Sequence, residues 1–200
     1  MAAIDTTILP VGTWVADPIH STVGFSVRHM VVATFRGRFE EFEITATATP
    51  EGEVAIHGTV KPSSIVVKDP NLAGHLQSPD FFDSEQFPAF TFASTSVRRE
   101  GEEVVVEGDL TIKGVTHPVA ARGTVTEPHL SFGDAEKVGL QLETVIDRTA
   151  FGLAWNAPLP KGGSFPTTAH LEPMGSIESL MAADEVRNER SNPLHHRKWI

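Results

Sequence analysis

The sequence predicts an all-β fold interrupted by one short helix, and three observations carry that reading. Apolar and polar residues alternate with period two from about residue 14 to residue 157, as strands with one buried face require. Turn chemistry recurs at short intervals between the alternating runs. One segment near residue 70 breaks the period with helix-start signals instead. Many short antiparallel strands build either a sandwich or a closed barrel, and alternation does not choose between them. A barrel of ~8 strands is wide enough to enclose one small ligand.

Taken in order, "DPIHSTVGFSVRHM" puts Ile19, Val23, Phe25, Val27 and His29 on one face and His20, Thr22, Ser26 and Arg28 on the other. "EFEITATA" sets Phe42, Ile44 and Ala46 against Glu41, Glu43 and Thr45. "EVAIHGTV" sets Val54, Ile56 and Val60 against Glu53, His57 and Thr59. Further strands are predicted over 88–97, 103–112, 117–126 and 137–148, the last with Val138, Leu140, Leu142, Thr144 and Ile146 on one face. Glycines in "TPEGE" and "RREGEE", and Lys113-Gly114 in "IKGVT", mark hairpins. In "KDPNLAGHLQSPDFFD", Asp69 is an N-cap and Pro70 a first helical residue, and Ser78-Pro79 repeats the signal. A helix over 70–77 and a turn over 79–82 follow.

The chain divides into an extension over 1–13, a barrel or sandwich over 14–172 and a tail over 173–200. "PLPKGGSFPTTAHLEPMG" is rich in Pro and Gly, with at best a short strand over 167–172. In "SIESLMAADEVRNER", Ser176 caps and Ile177, Leu180 and Met181 line one side of an expected short helix; the last ten residues show no periodicity.

With 40% hydrophobic and 21% charged residues in 200, there is material for a core with a cavity inside it. A formal net charge of −10 argues against a nucleic-acid binder, which needs clustered Lys and Arg. The absence of cysteine excludes disulfides and thiolate metal sites, and fits a reducing compartment. The start, with Asp5 and Pro10 and no basic region, is unlike a signal peptide, so a cytoplasmic protein is expected. No stretch approaches the ~20 apolar residues of a membrane span, so no stable membrane insertion is expected.

Motifs for a nucleophile elbow, a phosphate loop, a dinucleotide fold or a zinc protease are absent. The nine histidines lack metal-ligand spacing, the adjacent pair His195-His196 apart. His29 and Arg148 each continue an apolar face and end it. A cation at the rim of an apolar cavity suits a ligand with a polar or anionic head. Equally, Arg148 could pair with Asp147 or Asp83, and His29 could cap a strand end. Phe81, Phe82, Phe87, Phe90 and Phe92 crowd into "HLQSPDFFDSEQFPAFTFAS". Phe90 and Phe92 share an inward face, and Phe81 and Phe82 fold over one mouth, as a core plug or around a ligand.

The blocks "DPIHSTVGFSVRHM" with "FRGRF", "HLQSPDFFDSEQFPAFTFAS", "GDLTIKGVTHPV" and "DRTAFGLAWN", spread over 14–157, together resemble the YceI-like polyisoprenoid-binding family. The resemblance implies a lipocalin-like antiparallel β-barrel; with the residue reading above, the expected fold is a barrel of about eight strands with a short helical insertion and a divergent, partly helical tail. It implies an apolar tunnel holding an isoprenoid lipid, a polyprenyl phosphate or an isoprenoid quinone, with no catalysis and no other cofactor, for carriage, storage or stress response. On inward parity and apolar character the expected lining is Phe25, Val27, Phe42, Phe90, Phe92, Leu110, Leu142 and Ile146, with Phe81 and Phe82 at the mouth. His20, His29, Asp83, Arg148 and Trp155 fall within the matching blocks. The sequence departs from the family pattern after Gly163, where Pro166 and Pro173 bracket any closing strand. Either 167–172 closes the barrel or the tail helix covers an open edge. The alternative function is an enzyme that modifies an isoprenoid or quinone with His29 or a histidine-bound metal. A homodimer is expected from base rates alone.

Overall fold

In the computed structural model, which describes residues 8–29, 33–130, 136–155, 168–171 and 176–182, the alternating runs have become paired strands. In order they are β1 (Gly12–Ala16), β2 (Val23–His29), β3 (Ala33–Phe39), β4 (Phe42–Ala48), β5 (Val54–Val60) and β6 (Ile65–Val66). The helix α1 (Pro70–Gln77) follows, then β7 (Phe90–Glu100), β8 (Glu103–Ile112), β9 (Val115–Val125), β10 (His129–Leu130), β11 (Glu136–Asp147), β12 (Thr168–Leu171) and β13 (Ser176–Ala182).

The wall counts as eight antiparallel strands, because three of them are broken in two. At one end the pairing runs β1, β4, β5, β7, β8, β9, β11 and β13, and β13 returns to β1. At the other end β11 pairs with β12, β12 with β2, β2 with β3, and β3 with the short edge strand β6. Thus β1/β2, β3/β4 and β12/β13 are each one kinked wall strand. The long strand β11 changes partner midway, from β13 up to Gln141 to β12 from Thr144. The helix α1 packs beside β6.

Local chemistry explains the connections. The Asp69 carboxylate accepts from the Asn71 N–H at 2.9 Å, and Pro70 opens α1. The β8–β9 hairpin turns on Lys113 (φ 51°) and Gly114 (φ 74°), the double left-handed pair of a tight hairpin. A Cβ on Gly114 would lie 2.6 Å from the Phe87 ring, so glycine is required for space as well.

Two core clusters fill opposite ends of the barrel. One comprises Leu9, Trp14, Ala46, Ala48, Ile56, Val104, Val106, Ala121, Val138 and Leu140; the other is built around Phe25, Phe39, Phe82, Phe90, Ile112, Ile146, Phe151 and Leu153. On the outer face, Val105 is 1% exposed between Arg98 and Arg122, which stand opposite it on β7 and β9. Those arginines lie in one ion network with Glu100, Glu103 and Glu107, and their stems shield the valine.

Three sequence expectations are corrected. The segment Ser176–Ala182 is strand β13 rather than a helix, because β1 and β11 both present a free edge at that place and pairing outweighs helical spacing. The barrel therefore runs beyond residue 172. Ile19, expected inward, is 84% exposed, because the chain turns at 18–20 before β2 begins. Ser26, expected outward, is 2% exposed, so the outer face of β2 is covered at that position.

Candidate functional site

Inward side chains along the long strands run from buried to half-buried and back. On β11, Val138 and Leu140 are buried, Leu142 and Thr144 half-buried, and Ile146 buried again, as is Arg148 just beyond the strand. On β8, Val104, Val106 and Gly108 are buried, Leu110 half-buried and Ile112 buried. On β4 and β5, Ala46 and Ile56 are buried, whereas Phe42, Ile44 and Val60 are half-buried. The half-buried level thus lies between better-covered residues on either side.

This belt lies between the two core clusters and is largely apolar. Cross-strand register aligns Ile44 with Gly58, Gly58 with Phe92, and Phe92 with Leu110. The Phe92 ring lies directly over Gly108, where a Cβ would come within 2.6 Å of it, so the ring rests against the wall. The hydroxyls here are occupied by backbone: Ser94 Oγ accepts from the Ile56 N–H at 2.8 Å, and Thr144 Oγ1 donates to the Ala120 carbonyl at 2.9 Å.

The mouth at the β2 end is aromatic. Phe82, on the turn after α1, meets Phe25, Phe39 and Phe90 with ring centroids 6.2, 6.0 and 5.2 Å away. Phe81 sits outside it, 5.1 Å from His75 and 5.4 Å from Trp155, and His75 and Trp155 meet edge-on at 4.7 Å. Arg148 Nη1 donates to the Leu153 carbonyl and, at 3.0 Å, to the Trp155 carbonyl. Among the described residues Arg148 makes no ion pair, so neither Asp147 nor Asp83 is its partner. Burial pulls its guanidinium below its usual pKa, against the neighbouring Asp147 charge.

At the opposite end Trp14 Nε1 donates to the Pro10 carbonyl at 2.9 Å. Asp17 is 5% exposed and joins His20 Nδ1 at 2.7 Å, Lys137 Nζ at 3.0 Å and the Ile19 N–H at 2.9 Å. Burial raises its pKa, but the hydrogen bonds from His20, Lys137 and Ile19 outweigh that and hold it at about 2. Because Asp17 follows β1 and Lys137 lies on β11, their ion pair spans the closing strand β13.

The residues expected from sequence fall into three groups. Val27, Phe42, Phe92, Leu110 and Leu142 are half-buried; Phe25, Phe82, Phe90, Ile146 and Arg148 are buried at the β2 end; Phe81 is half-buried at the mouth. The backbone of His29 ends β2 opposite Ala33, and its side chain lies outside the described residues. Trp155, 40% exposed, packs on Phe81, whereas His20 serves the Asp17 turn at the other end. Asp83 takes φ 49° and its backbone N–H donates to Ser78 at 2.9 Å, a turn-forming role. Asp17 and Ser21 were not singled out, although both stand in the "DPIHS" stretch. Among the described residues no three of His, Cys, Asp or Glu are grouped to hold a metal ion. Nor is any described helix long and apolar enough to cross a membrane.

This geometry can be set beside known proteins. The YceI-like domain matches residues 14–174. The chain belongs to the YceI-like family. A UPF0312 protein of Staphylococcus aureus (strain USA300) is 32% identical over 157 residues, 74% of this chain and 85% of its own length. The crystal structure of Burkholderia cenocepacia BcnA matches with a TM-score of 0.65 at 20% identity, over 84% of this chain and 99% of that one. A polyisoprenoid binding domain from Saccharophagus degradans, implicated in plant cell wall breakdown, matches with a TM-score of 0.55 at 13% identity, over 86% and 96% of the two chains. The divergent region after Gly163 supplies the kinked closing strand β12/β13 of this YceI-like barrel.

Proposed function

We propose that this YceI-like protein binds a long-chain isoprenoid lipid, a polyprenyl phosphate or an isoprenoid quinone, inside its barrel without changing it chemically. The role that follows is carriage, storage or stress protection of that lipid in the cytoplasm. The observation that carries the reading is the half-buried apolar belt of Ile44, Phe92, Leu110 and Leu142 between two sealed clusters. A solid-cored barrel would bury mid-level residues at least as deeply as end residues. Branched apolar chains gain about 25 cal/mol for each Å² removed from water, and a wall of aliphatic and aromatic side chains removes most of it. The likeness to a domain named for polyisoprenoid binding points the same way.

Arg148 acts in this reading as a positioning residue. It holds the Leu153 and Trp155 carbonyls and so sets Trp155 against Phe81 and His75 at the mouth. The test is Leu142→Asp, purified from its own host beside the wild type and extracted with solvent. The wild type yields an isoprenoid and the folded variant yields none; equal recovery from both overturns the proposed lining.

A further inference from the structure

The outer rings of the mouth converge on one histidine. His75, in the last turn of α1, meets Phe81 of the following turn at 5.1 Å and Trp155 of the segment after β11 at 4.7 Å, edge-on to both. Its Nε2 lies 3.9 Å from Asp80 Oδ2, and the two side chains are 32% and 66% exposed. Asp80 immediately precedes Phe81 and Phe82, so this contact ties the turn that carries the aromatic plug back onto α1. Backbone hydrogen bonds hold the same turn, from Phe81 and Asp83 to the Ser78 carbonyl and from Phe82 to that of Leu76. Those bonds are indifferent to charge. Histidine, by contrast, is the side chain whose charge ordinarily changes between about pH 5 and pH 8, and the contact with Asp80 is an ion pair only when the imidazole is charged.

We infer that His75 is a proton-operated latch on the mouth: charged, it draws Asp80 in and pins the turn bearing Phe81 and Phe82 to α1; neutral, it lets that turn lift. The latch stands on the contacts themselves, and its consequence rests on the lipid-binding reading: bound lipid leaves more slowly in mild acid than in mild alkali. Charged groups on the neighbouring elements are engaged elsewhere. Past β11, Arg148 is turned to the Leu153 and Trp155 carbonyls, and the Asp147 carboxylate accepts from the Thr149 N–H and hydroxyl. On the β8–β9 hairpin Lys113 Nζ donates to the Pro79 carbonyl at 2.6 Å, and at the head of α1 Asp69 accepts from Asn71. His117 of β9 directs Nε2 to the Ala150 carbonyl at 3.1 Å, a bond that the neutral and the charged ring can both donate. Asp83 is the next acid along the turn, so the substitution that tests the latch is made at Asp80 alone.

Two measurements on the full-length protein test this at about pH 5.5 and about pH 8. In lipid-free protein, hydrogen exchange of the amides of residues 81–83, corrected for its intrinsic pH dependence, is expected to show more protection at the lower pH. In protein loaded with NBD-labelled geranylgeraniol, release to phosphatidylcholine vesicles is expected to be about two- to fivefold faster at the higher pH, the effect of one half-exposed ion pair. Asp80→Asn removes an exposed carboxylate and leaves the ring cluster in place; it is expected to show the high-pH protection and the fast release at both pH values. The latch is overturned if wild-type protection is unchanged by pH or is lower in acid, or if Asp80→Asn keeps the wild-type response. Protection that follows pH while release does not overturns its role in lipid exchange. Failure of the wild type to load the probe defeats the lipid-binding reading instead, and the exchange measurement then decides the latch by itself.

Discussion

Asp17 shows how one side chain can hold a barrel shut. Its carboxylate reaches across β13 to Lys137 and lies below its ordinary pKa of 3.8, at about 2. A group depressed on folding contributes stability above its unfolded value and loses it as pH falls through the folded one. The contribution, about 2 kcal/mol from a shift of this size, is thus present at neutral pH and disappears between about pH 4 and pH 2. Asp17→Asn should lose about that much in urea unfolding at pH 7, with the gap to wild type narrowing as the pH approaches 2; a gap unchanged by pH would show that the charge is not what matters. Inward parity made the apolar belt legible, so Leu110 and Leu142 could be named from sequence. Asp17 and Ser21 could not, because a short polar residue in a proline-containing turn segment reads as turn chemistry whether it ends exposed or buried. Ser26 and Val105 mark the limit of parity: it gives the face a residue takes, and not whether that face meets water.

Among the elements, the helix and turn over 69–82 were the most legible, because capping is local: Asp69, Pro70, Ser78 and Pro79 carry the start signals without help from the rest of the fold. The strands over 103–112 and 136–147 were nearly as clear, since alternation and turn residues agree. The closing strand β13 was hidden. Ile177, Leu180 and Met181 have helical spacing, and only the two free edges that they meet in the assembled wall make them a strand. The turn after α1 plugs the β2 end through Phe82, which is 7% exposed against Phe25, Phe39 and Phe90. Phe82→Ala should cost about 3–5 kcal/mol in chemical denaturation, as deletion of a buried aromatic does. A cost near zero would mean that the turn is a loose cover rather than part of the core.

For the whole molecule, two buried core clusters flank a half-buried apolar level, and the kinked strands β1/β2, β3/β4 and β12/β13 let one wall serve both clusters. A formal net charge of −10 is repelled by anionic membrane surfaces, which suits the proposed lipid binder. Ligand identity is the part least legible in the sequence, because aliphatic and aromatic walls accept many chains of similar width. The most direct test is native mass spectrometry of the intact protein purified from its own host. The account predicts a mass exceeding the polypeptide by one isoprenoid lipid per chain, released on mild activation; a folded protein flying at the bare polypeptide mass, or with an excess that is not an isoprenoid, would contradict it.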